Sequence, residues 1–146
     1  MTNYSIHRKI GTPYIFDRTT GLDICLPAPF QIIHYHQKSW NGGSIDGNQY
    51  LHIDRIRTED GAVPTIIAEG DLNLFLASTT QPEQIDERTR GVEVAGTISD
   101  QEVKGYIAVS KYDENYSYLV FVAAREGRNS ARQRENAIAI AALTRK

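Results

Sequence analysis

Leu22, Ile24 and Leu26 alternate with Asp23 and Cys25, the period of a strand with one face buried. Pro27 and Pro29 follow at once, so this strand ends there or lies at a sheet edge. Upstream, residues 4–18 hold a first strand candidate whose apolar part is Tyr14-Ile15-Phe16, closed by a turn at Thr19-Thr20-Gly21. Phe30 to Gln37 and Tyr50 to Arg57 read as further strands. Asn41-Gly42-Gly43-Ser44 and Asp46-Gly47-Asn48 carry turn signals between them, and Glu59-Asp60-Gly61 closes the second.

The pattern is clearest towards the end of the chain. Val92, Val94 and Ile98, then Val103 to Lys111, read as strands. Tyr116 to Ala124 is rich in aromatic and β-branched residues and pairs with Tyr106 to Tyr112 as a hairpin through Asp113-Glu114-Asn115. Ser130 and Gln133 have the spacing of a capping box, in which each side chain satisfies a free backbone donor. Ala131 to Leu143 has high helix propensity and sets Ile138, Ala141 and Ala142 on one face, predicting a terminal helix on a sheet.

Pro64 to Thr80 admits two readings. Pro64 suits a first helical turn, and Ile66, Ile67, Leu74 and Ala77 could share a helix face. Leu72, Leu74 and Leu76 alternate as in a strand, and Gly70 costs a helix about 1 kcal/mol relative to Ala. Its helical length favours a helix. The expected architecture is therefore a single α+β domain over residues 1–146. It has a mostly antiparallel sheet, a middle helix and a C-terminal helix packed on the sheet.

Composition narrows the class. With 146 residues, 40% apolar and 23% charged, the chain can bury a core without covalent staples. A net charge of −2 and a pI near 6.1 give no basic excess for nucleic acid. No apolar run approaches the ~20 residues of a membrane-spanning helix. The polar start has no apolar signal-peptide core, and Cys25 is the single cysteine, so a cytoplasmic location is expected.

Candidate chemistry lies first with histidine. His34 and His36 share one face of a strand, and His52 and Asp54 repeat the spacing on what would be its neighbour. Together they could bind Zn²⁺ or another divalent metal, or a small molecule; equally, they could form a solvated polar face. Cys25 is read as a small buried hydrophobe before a nucleophile. Gly42-Gly43 lacks the Lys-Ser/Thr of a phosphate loop. Tyr106, Tyr112, Tyr116 and Tyr118 cluster around the late hairpin, and Trp40 falls in the glycine-rich turn. These five are candidates for a partner-binding surface, although tyrosine is also common in ordinary sheets.

The segment Gly21-Leu22-Asp23-Ile24-Cys25-Leu26-Pro27-Ala28-Pro29-Phe30, the hairpin Tyr106 to Ala124, and a terminal helix carrying Ile138 and Leu143 together resemble the PsbP/Mog1/DcrB-like α/β/α sandwich domains, over about residues 20–144. The resemblance implies a non-enzymatic binding domain and supplies no catalytic residue. The leading expectation is a non-catalytic protein-binding module, such as an intracellular chaperone or immunity-type partner of a secreted bacterial toxin or effector. The alternative is a small-molecule or metal-binding protein, or an enzyme, using His34, His36, His52 and Asp54.

Overall fold

The computed structural model describes residues 11–60, 62–64, 66–69, 74–125 and 131–145. Its strands are β1 (Tyr14–Asp17), β2 (Leu22–Cys25), β3 (Phe30–His36), β4 (Ser39–Ser44), β5 (Gln49–Arg57), β6 (Ile66–Glu69), β7 (Leu74–Ser78), β8 (Glu83–Gln84), β9 (Thr89–Ile98), β10 (Gln101–Lys111) and β11 (Tyr116–Arg125). One helix, α1 (Ala131–Leu143), follows.

β1 and β2 form a separate hairpin; the others build one antiparallel sheet in the order β3-β4-β5-β11-β10-β9-β7-β6, with β8 paired to β9. That order is two meanders joined side to side. β3 to β5 run consecutively, the segment from β6 to β11 does likewise, and the last strand of each meets the other, with Arg57 opposite Tyr116 and Gln49 opposite Ala124. Short polar turns set the local connections. Gly47 takes φ +78° in the β4–β5 loop, where Asp46 accepts from Ser44 and from the Asn48 amide. Ser99 and Asp100 both take left-handed φ in the two-residue β9–β10 turn, the twist that a tight hairpin requires.

Both faces of the central strands are buried. On one face α1 covers β9 to β11 through Ala137, Ile140 and Ala141, with the β1–β2 hairpin beside it inserting Ile15 and Leu22. On the other face Val92, Ile107, Phe121 and Leu119 form a second cluster with Leu76 and Val63. The buried face of α1 thus runs through Ala137, Ile140 and Ala141; Ile138 is half-buried and Ala142 exposed, a shift from the expected stripe. Ser130 of the expected capping box lies outside the described residues, while Gln133 is buried.

Three expectations about local structure are overturned. The expected middle helix is absent: Ile66–Glu69 and Leu74–Ser78 are paired strands, so the sheet dominates and α1 is the one α-helix among the described residues. The alternation of Leu74 with Leu76, which β9 can pair, outweighs helical length. Asn41 to Ser44 is not a turn but the body of β4. Gly42 serves close approach there, since a Cβ would fall 1.9 Å from the Gln31 carbonyl oxygen. Consequently β3 and β5 are not neighbours, because β4 lies between them.

Trp40 and the tyrosines form the third correction at the level of side chains. Trp40, Tyr106, Tyr112 and Tyr118 are between 0% and 8% exposed, and Tyr116 is half-buried under the Arg55 guanidinium. Strand alternation turns Trp40 inward onto Tyr118, and Trp40, Tyr106, Tyr112 and Tyr118 are core rather than surface anchors. Their hydroxyls are satisfied from within: Tyr118 donates to Asp17, Tyr112 to the Thr20 carbonyl and Tyr106 to Glu83.

Candidate functional site

On the face opposite α1 the sheet encloses a cavity of about 580 Å³. This is the size of a small-molecule site. Its walls come from strands distant in the sheet. β5 and β7 are four places apart in the strand order, which in a flat sheet is roughly 19 Å at ~4.8 Å per strand. Tyr50 and His52 of β5 nevertheless share the cavity with Leu74 and Leu76 of β7, so the sheet curls around it. Gly96 and Gly105 sit on the curled strands. A Cβ on Gly96 would lie 1.9 Å from the Phe75 carbonyl oxygen, and one on Gly105 would lie 2.4 Å from that of Val122. Only glycine permits that approach of neighbouring backbones.

One wall is polar. The registers align His34 with Asn41, and Asn41 with His52, so these side chains stand in a row across β3, β4 and β5. The next row aligns His36 with Ser39 and Ser39 with Asp54. His52 Nδ1 lies 2.5 Å from Asn41 Oδ1. An amide oxygen only accepts, so His52 carries its proton on Nδ1 in that pairing. Ser39 donates to Asp54 Oδ1 at 2.9 Å, holding the carboxylate in place.

The other wall is apolar. His52 is paired with Phe121 and Asp54 with Leu119, so polar gives way to apolar over a single strand spacing. Leu74, Leu76, Ile98 and Pro64 complete that side. Asp54 is the single carboxylate among the described lining residues, and no lysine or arginine joins it.

Of the residues singled out by sequence, His34, His52 and Asp54 line the cavity. His36 shares their sheet face, in the row of Asp54. β4 separates the two histidine strands, so His34 and His52 are about 10 Å apart at the backbone. Among the described residues no group of three or more His, Cys, Asp or Glu could hold a metal ion. Cys25 is exposed on β2, opposite Tyr14, and donates to the Leu26 carbonyl. Asn41, Tyr50, Leu119 and Phe121 were not foreseen as site residues. The available signal was in β11, whose apolar residues occupy both alternating faces and so demand a cover on each side.

No helix among the described residues is long and apolar enough to cross a membrane. No family model matches the chain, and no curated protein matches it.

Proposed function

We propose that this protein binds a small, largely apolar molecule in the cavity between β5 and β7, with the polar end of that molecule received by Asn41, His52 and Asp54. The carrying observation is the division of one 580 Å³ space into an apolar wall and a narrow polar strip. Burial of an apolar body there would supply roughly 25 cal/mol per Å² removed from water. The few polar groups would fix its orientation.

A neutral, environment-sensitive dye tests this reading. Nile red is expected to bind wild-type protein saturably at one site, with enhanced fluorescence. Leu74→Trp and Leu119→Phe, which fill the apolar side, should each weaken binding at least tenfold while keeping the β-rich circular dichroism spectrum. Absence of saturable binding, or binding indifferent to both substitutions, would refute the reading.

A further inference from the structure

We infer that the cavity selects an apolar molecule carrying a protonated amine or other organic cation over one carrying a carboxylate. This deepens the proposed function and rests on it. Among the described lining residues there is one formal charge of fixed sign, the Asp54 carboxylate, and no lysine or arginine. Asp54 is half-buried on β5, and the Ser39 hydroxyl holds its Oδ1 in place. A cationic head group at the polar wall would meet that half-buried carboxylate where solvent screens it less than at an open surface. Two aromatic residues, Tyr50 and Phe121, line the same space, and their ring faces attract cations. A carboxylate would meet the same groups with repulsion from Asp54, and no arginine or lysine among the described lining residues would bind it.

The experiment is displacement of Nile red from wild-type protein by decylamine, decanol and decanoate, each below its micelle-forming concentration at pH 7.5. The three share one apolar chain and differ in head group. Decylamine is expected to displace the dye at a concentration at least tenfold lower than decanoate, with decanol between them. Isosteric Asp54→Asn should reduce the amine-to-alcohol preference to within about twofold, with both ligands compared on the same variant. Equal displacement by all three, tighter decanoate, or displacement by none would overturn the inference while Nile red binding preserves the cavity reading. Failure of Nile red itself to bind would overturn both. The wild-type series decides even where a variant folds poorly.

Discussion

Tyr118 donates its hydroxyl proton to the carboxylate of Asp17 at 2.7 Å, across 101 positions of chain. The same carboxylate accepts from Arg55 at 2.7 Å, and Asp17 is 2% exposed. Burial raises the Tyr118 phenol pKa above its ordinary value, so the phenol stays a donor. The contact pins the β1–β2 hairpin to β11 and thereby to the helix-side core. Removing the carboxylate leaves Arg55 facing a buried void, whereas removing the phenol hydroxyl leaves an ion pair. Asp17→Ala is therefore expected to cost about 3–5 kcal/mol. Tyr118→Phe should cost about 1–3 kcal/mol. Urea unfolding of both variants checks the order, and equal costs would contradict it.

Truncation of Trp40 should affect folding before recognition. The ring is 3% exposed and packs on Tyr118 and Tyr35. Trp40→Ala is expected to destabilise by about 3–5 kcal/mol, read from the unfolding midpoint. A change below 1 kcal/mol would place the ring outside the core.

Gly96→Ala places a methyl group against the Phe75 carbonyl and the backbone of Leu76, neither of which can rotate away. A loss of about 2 kcal/mol or more is expected. Gly47→Ala meets nothing within 4 Å, and its cost should be limited to the left-handed φ, about 1 kcal/mol. Parallel thermal unfolding of the two variants compares steric clash with backbone strain.

Glu83 joins β8 to α1 through Arg134 at 2.8 Å. The Arg134 hydrogen bond, then that of Tyr106, holds the Glu83 carboxyl below its usual pKa. A depressed folded-state value means that the stabilisation is present above the unfolded value near 4.3 and disappears as pH falls through the folded one. The pair is substantially exposed, so its contribution should stay below about 1 kcal/mol. Unfolding free energies measured from pH 6 to pH 3 should therefore fall more for wild type than for Glu83→Gln.

The antiparallel sheet, the late hairpin and α1 were legible because Tyr116 to Ala124 is a long run of aromatic and β-branched residues and Ala131 to Leu143 a long run of helix formers. Pro64 to Thr80 was misread because a short apolar run serves either period, and only pairing with β9 decides between them. Gly42 misled for a different reason. Its glycine signal is the same for a turn and for backbones in close approach. Alternation is local, so it sets His34 with His36 and His52 with Asp54, while the face that the two pairs share depends on the register through β4. Asn41, standing between the histidines, was hidden by the missed strand β4.

The seam between β5 and β11 joins segments far apart in the chain, whereas every other pairing in the main sheet links strands close in sequence. Each meander can therefore grow from its own hairpins, while the seam must wait for closure of a long loop. Folding should be limited by that late encounter. Because the cavity takes residues from both sides of the seam, an occupant would act as a clasp, slowing the parting of the two halves more than it hastens their meeting.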